Sequence, residues 1–256
     1  MTAGHATSQP SSERQLRQAI IETALSMSRR GLSPGRSGNV SCRLDDGMLI
    51  TPTGVAYETM SAGDIVRVAA DGSVAPDAMK PSSEWRFHLA AYRARADINA
   101  VVHTHSLHAT VLACAHRPIP AFHYMVAVAG GIDIPIVPYA PFGTEELAGY
   151  VAQGLEKRNA CLMANHGQIA AGPSLAAALE LAFEVETLAE QYFKVLLLGP
   201  ANTLSGEQMR DVLERFASYG QNAQSPRPEV AAMSPAGGGA TGITKRSAAR
   251  KGKRNG

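Results

Sequence analysis

Apolar residues recur at helical spacing near the start of the chain: Leu16, Ile20, Ile21, Ala24 and Met27 line one face of the segment 12–30. Gly31 follows, a residue suited to the left-handed turn that ends a helix. The period then drops towards two. Residues 39–44 and 48–51 read as two strands joined by Asp45-Asp46-Gly47, the residue types of a tight hairpin. Residues 64–69 predict a third strand, closed by Asp71-Gly72. Pro81-Ser82-Ser83-Glu84 opens a helix that reaches about Arg95, with serine available as its N-cap. Short apolar strands are expected at 99–104 and 134–139, an amphipathic helix at 144–158, and strands at 161–164 and 168–171 around Asn165-His166-Gly167. Helices at 174–198 and 205–219 complete the pattern, the second with a capping box, Ser205 and Gln208, and Gly220 beyond its end. The regular alternation of a doubly wound parallel sheet is missing. The order predicts an α/β fold in which helices cover a mostly antiparallel sheet.

Composition sharpens this in three ways. A chain of 256 residues, 45% hydrophobic, is long enough for one sizeable core. One catalytic domain over 12–220 is expected, after a flexible leader at 1–11 and before a disordered tail at 221–256 rich in Pro, Gly, Ala and Ser. Charge is uneven: the tail holds seven Lys or Arg against one Glu, so the formal +2 of the chain leaves −4 on residues 1–220. A mildly acidic body gives no reason to expect a nucleic-acid partner. The first residues lack the apolar core of a signal peptide, and no stretch approaches the roughly 20 apolar residues of a membrane span. The expectation is a soluble cytoplasmic protein with no membrane partner. Cys42, Cys114 and Cys161, odd in number and without CxxC spacing, read as reduced, mostly buried thiols.

Among candidate chemistry, His103-Thr104-His105 directly follows the apolar strand Ala100-Val101-Val102. Residues i and i+2 of a strand share a face, so both imidazoles can reach one ion. A catalytic zinc commonly takes three protein ligands and keeps an open position. The pair by itself is equally compatible with incidental surface or core histidines. His166, at the crest of a tight turn between two strands, is a third candidate ligand, or a turn histidine that caps backbone. Glu84, early in its helix, is a candidate for the fourth position, or a first-turn glutamate facing the helix dipole. His88, one turn on, could pair with Glu84 along the helix, but reads first as a core histidine. His5, His108, His116 and His123 receive no metal role.

Three further stretches have the makings of an anion site. Gly35-Arg36-Ser37-Gly38-Asn39 is a glycine-rich turn, Thr51-Pro52-Thr53-Gly54 is a hydroxyl-bearing turn, and Ser82-Ser83 lies at a helix N-terminus. None has the spacing of a P-loop or a dinucleotide fingerprint. Together they suggest a phosphate cradle of backbone N–H groups, hydroxyls and an amide, provided that they converge.

These stretches, taken in order, resemble the class II aldolase/adducin family, most closely its aldolases of L-fuculose phosphate. The resemblance spans about 12–220 and rests on GNVS at 38–41, LITPTG at 49–54, KPSSEWRFH at 80–88, AVVHTH at 100–105, HYM at 123–125, PYAPFGT at 138–144 and NHG at 165–167. It implies a three-layer α/β/α fold with a mostly antiparallel central sheet and a cyclic homotetramer with sites between subunits. It implies one zinc per subunit on His103, His105 and His166, with Glu84 first as ligand and then as catalytic base. Phosphate contacts are implied at Asn39, Thr53, Gly54, Ser82 and Ser83, catalytic tyrosines reaching a neighbouring subunit at Tyr124 and Tyr219, and an aromatic beside the aldehyde at Phe142. The implied reaction splits a 1-phosphorylated ketose (L-fuculose, 5-deoxypentulose or 5-methylthioribulose type) into dihydroxyacetone phosphate and an aldehyde. Pentulose-phosphate 4-epimerases and methylthioribulose-phosphate dehydratases share such a metal site, and adducin-type heads are binding modules that lack it. Arg36 departs from the pattern, standing where a small hydroxyl residue is expected.

Overall fold

The computed structural model describes residues 10–33 and 35–219; the leader up to residue 9 and the tail at 221–256 lie outside the described residues. One sheet of seven strands organises the described residues: β1 Asn39–Leu44, β2 Gly47–Ile50, β3 Val66–Val68, β4 Ala100–Thr104, β5 Ile136–Val137, β6 Ala160–Met163 and β7 Gly167–Gly172. They lie in the order β3-β2-β1-β4-β7-β6-β5, antiparallel throughout except for β5 beside β6. Among the described residues six α-helices flank them: α1 Pro10–Arg29, α2 Trp85–Ala94, α3 Leu107–Cys114, α4 Glu145–Leu155, α5 Leu175–Leu198 and α6 Gly206–Tyr219.

Strand periodicity explains the layers. In β4, Ala100 and Val102 enter one core and Val101 the other; in β2, Leu49 enters the first, Met48 and Ile50 the second. The first core is completed by Ile20 and Met27 of α1, Leu112 of α3, Val185 and Leu188 of α5 and Met209 of α6. The second is completed by Phe87 and Leu89 of α2 and by Leu147, Val151 and Leu155 of α4. Burying each such side chain contributes about 1.5–3 kcal/mol, so these two faces hold the sheet between its helices. The result is the expected three-layer α/β/α arrangement around a mostly antiparallel sheet.

Local signals account for most boundaries. Gly31 ends α1 at φ 73°, and Asp45 turns the β1–β2 hairpin at φ 50°. Thr144 and Ser174 cap α4 and α5 through their hydroxyls. Both bonds of the Ser205–Gln208 capping box are made, at 2.8 and 3.2 Å. Four expectations need correction. Helix α1 already includes Pro10 and Ser11, inside the expected leader. Helix α2 starts only at Trp85: Ser82 lies ahead of it, and Glu84 is the N-cap residue without side-chain capping. The strand expected at 134–139 shrinks to Ile136–Val137, because Pro135 and Pro138 have no N–H for a ladder. Helix α3 was not foreseen. Its residues LHATVLAC show no polar stripe, and its start is held from a distance: the Glu186 carboxylate on α5 accepts from the N–H of His108 at 2.8 Å and of Ala109 at 2.9 Å. The same carboxylate takes His108 Nδ1 at 2.9 Å.

Cys42 and Cys161 are buried free thiols, pushed up to about 12 by that burial, while Cys114 is free and exposed. Among the described residues no helix is long and apolar enough to cross a membrane.

Candidate metal centre and its cleft

The sheet brings four potential ligands to one end. His103 on β4 stands opposite Asn39 of β1 and Ile169 of β7, and His105 lies one residue past the end of β4. His166 occupies the turn between β6 and β7. Asn165 enters that turn at φ 55°; its N–H bonds the Ala113 carbonyl at 3.1 Å, and its Oδ1 accepts from His116 Nε2 at 2.6 Å, which pins the turn to the end of α3. Gly167 is required by contact: a Cβ there would lie 2.5 Å from the Thr104 carbonyl oxygen and 2.9 Å from His105 Cδ2. Glu84 arrives from the opposite layer, at the head of α2.

The ligand atoms of Glu84, His103, His105 and His166 all lie within 4.8 Å of one another. His103 Nε2 is 2.9 Å from His105 Nε2 and 3.3 Å from Glu84 Oε2, and His166 Nε2 is 2.9 Å from Glu84 Oε1. Zinc–nitrogen bonds of 2.0–2.1 Å in a tetrahedron place neighbouring ligands about 3.3 Å apart, so these spacings suit one shared ion. The three rings pack edge to face, centroids 4.8–4.9 Å apart. His103 Nδ1 donates to the Gln168 carbonyl at 2.8 Å, which turns Nε2 inward towards the other candidate ligands. Burial and then the neighbouring His103 and His166 push His105 down to about 4, so its imidazole stays neutral near neutral pH. Burial works to raise Glu84, but the pull of His103 and then His166 overrides it and holds the carboxylate ionised. His103 Nε2 and His105 Nε2 stand 2.9 Å apart beside the buried Glu84 carboxylate, a donor set gathered around one point. A divalent cation fits it.

Beside the cluster opens a cleft of about 380 Å³ lined by Glu84, His105 and His166, and also by all five residues expected to meet phosphate: Asn39, Thr53, Gly54, Ser82 and Ser83. The two loops are laced together, Pro52 bridging Pro81, with Thr53 N–H on the Lys80 carbonyl and Ser82 N–H on the Thr51 carbonyl, both at 3.0 Å. Those two N–H groups are therefore engaged within the protein, which leaves the Thr53 and Ser82 hydroxyls as the groups available to the cleft. Ser82 Oγ accepts from Glu84 N–H at 3.3 Å and keeps its own hydrogen to donate. Gly54 turns at φ 74°, and Arg36 reaches across to donate to its carbonyl at 3.0 Å, so the guanidinium lines the same cleft.

Phe142, 69% exposed, lines the cleft, and so does Tyr139, which sequence reasoning did not single out although it lies in the PYAPFGT stretch. Tyr124 does not line it. It stands half exposed on a 3-10 turn, Tyr124–Ala129, beside an apolar depression formed with Met125, Val212 and Phe216. Tyr219 ends α6, and its side chain lies outside the described residues. His88, read as a core histidine, is fully buried.

Residues 18–193 match the Class II Aldolase and Adducin N-terminal domain. The chain is 49% identical over 219 residues to a 5-methylthioribulose-1-phosphate/5-deoxyribulose-1-phosphate aldolase of Rhodospirillum rubrum, covering 86% of this chain and 99% of that one. It is 50% identical over 207 residues to the L-fuculose phosphate aldolase of Escherichia coli, covering 80% and 96%. A solved structure of an L-fuculose 1-phosphate aldolase superposes with a TM-score of 0.78 at 36% identity, covering 84% of this chain and all of that one.

Proposed function

Because this chain belongs to the class II aldolase and adducin N-terminal domain family, we propose that it is a zinc-dependent aldolase cleaving a 1-phosphorylated ketose into dihydroxyacetone phosphate and an aldehyde. The observation that carries the reading is the convergence of Glu84, His103, His105 and His166 with the Thr53-Gly54 and Ser82-Ser83 loops on one cleft. Candidate ketoses are L-fuculose 1-phosphate, a 5-deoxypentulose 1-phosphate and 5-methylthioribulose 1-phosphate, the classes on which the similar proteins are named as acting.

His103, His105 and His166 would hold the zinc, with Glu84 completing its resting shell. A bound zinc supplies Lewis acidity, polarising the ketose oxygens and lowering the cost of negative charge on them. The chain's own groups then do the positioning and the proton work. Thr53, Gly54, Ser82 and Ser83 receive the phosphate, with one amide hydrogen of Asn39, whose other is engaged by Glu84. Arg36 adds a positive charge at the rim. In cleavage the C4 hydroxyl loses a proton, the C3–C4 bond breaks, and C3 of the dihydroxyacetone half gains a proton. Glu84 is placed to carry the proton on carbon, and a tyrosine hydroxyl serves the aldehyde oxygen. Tyr124 is half exposed and away from its own cleft, which supports a role in the site of a neighbouring subunit within a homotetramer. Tyr219 and Phe142 would shape the aldehyde side. A small phosphorylated metabolite as substrate accords with a cytoplasmic enzyme.

The test is a panel of ketose 1-phosphates with dihydroxyacetone phosphate release followed by a coupled reductase. Zinc-dependent release from at least one supports the proposal. An epimerised or dehydrated product without release would move the chain to another activity of the same site.

A further inference from the structure

Behind the metal cluster a second set of polar side chains is sealed inside the protein. Asn39, Ser41, His88 and Tyr92 are 4%, 0%, 0% and 3% exposed. Their alignment follows from two periods. Glu84, His88 and Tyr92 recur every four residues at the head and along α2, and Asn39 and Ser41 recur every two along β1. Four residues of helix advance about 6 Å and two of strand about 6.8 Å, so the two rows stay in step and interleave. Tyr92 Oη lies 2.7 Å from Ser41 Oγ, Ser41 Oγ 2.7 Å from His88 Nδ1, His88 Nε2 2.5 Å from Asn39 Oδ1, and Asn39 Nδ2 2.8 Å from Glu84 Oε2.

The direction of every bond follows from its end. A carboxylate only accepts, so Asn39 presents its NH2 to Glu84 and its Oδ1 to His88. His88 must then donate from Nε2. A neutral ring that donates from Nε2 accepts at Nδ1, so Ser41 donates there, and Ser41 Oγ in turn accepts from Tyr92. Reversing the chain would set Asn39 Oδ1 against the Glu84 carboxylate, two acceptors with no hydrogen between them.

We propose that this one-directional chain, Tyr92 to Ser41 to His88 to Asn39, is the device that orients the Glu84 carboxylate, making Ser41, His88 and Tyr92 positioning residues for the acid–base group. The proposal rests on the aldolase reading for the role of Glu84, but its geometry stands without that reading. Every member is buried, so rotation of any one strands a donor or an acceptor where water does not replace it. His88, the member with two fixed nitrogens a ring apart, transmits orientation from the sheet interior to the cleft.

The first test uses the full chain with 15N-labelled histidine, the His88 signals identified by their loss in His88→Gln. The expected pattern is a protonated Nε2 and a bare Nδ1 at neutral pH. A protonated Nδ1, with or without a protonated Nε2, overturns the chain. The second test compares two variants by turnover and zinc content. Glutamine at position 88 can place an amide nitrogen near the site of Nε2 and keep a donor for Asn39. Asparagine reaches only the site of Nδ1 and leaves Asn39 Oδ1 unpaired. His88→Asn should lower kcat about tenfold to a hundredfold, and His88→Gln should recover it to within about fivefold of wild type, both with full zinc. Equal losses in the two variants, or no loss in His88→Asn, overturn the positioning role. A wild-type chain inactive on every ketose phosphate but showing the Nε2–H tautomer would sink the aldolase reading alone. An active one with the opposite tautomer would sink this chain alone.

Discussion

His88 should make the protein sensitive to acid in a way that is measurable apart from the metal. Burial, and after it the field of His103, pushes the ring from 6.5 down to about 3, with Glu84 pulling weakly the other way. The folded state therefore refuses a proton that the unfolded chain accepts below about pH 6.5. Stability rises with pH wherever the unfolded state binds more protons, so the contribution of His88 is complete above about pH 6.5 and is lost as pH falls towards about 3. Each unit within that window is worth about 1.4 kcal/mol. Lowering the pH from about 7 to about 4.5 crosses some two units of the window, so this one side chain should remove about 2.7 kcal/mol. That is a large part of the 5–15 kcal/mol that holds a typical domain. His88→Gln deletes the titration while keeping a polar group in place, and its own cost is nearly independent of pH. Urea unfolding of chelator-treated wild type and variant at several pH values isolates the effect, because Glu84 and the three ligand histidines are present in both. The stability advantage of wild type should shrink by about 2–3 kcal/mol between about pH 7 and about pH 4.5. Parallel curves across that range would refute the argument that His88 is held neutral by burial.

Glu84→Gln should retain zinc, since three histidines and an open position satisfy that ion, yet lose about 10²–10⁴-fold in kcat; turnover near wild type with zinc bound would place the base elsewhere. Arg36→Ser should raise KM for the ketose phosphate roughly tenfold at low salt and less at high salt, with kcat little changed, as expected for an exposed cation near phosphate. A KM unaffected at low salt would leave Arg36 only its bond to the Gly54 carbonyl. For the shared site, His105→Ala and Tyr124→Phe should each be nearly inactive alone and regain activity when subunits are exchanged; no recovery after verified exchange would confine the site to one chain.

Much of the fold was legible in the residues themselves. The unbroken apolar run Ala100-Val101-Val102 marked a short strand, and Gly31, the Asp45-Asp46-Gly47 turn and the Ser205–Gln208 box ended or started their elements through local chemistry alone. The candidate ligands could be named from the residues too, because His103 and His105 share a face by strand period and His166 sits on a turn. What stayed hidden depended on distant partners. The start of α3 is held by a carboxylate 77 and 78 residues away, and Tyr139 reaches the cleft only because the 138–143 loop folds against the head of α2. His88 carried one local signal, its place one turn after Glu84, and nothing that named its other partners. Its partners Asn39 and Ser41 lie 49 and 47 residues earlier, and only the packing of α2 against β1 decides that its two nitrogens meet an amide and a hydroxyl rather than carbon. Short-range order is written in period and turn chemistry, which act over a few residues. A buried hydrogen bond needs its partner to within a few tenths of an ångström, and across such separations only the closed, packed chain supplies that precision.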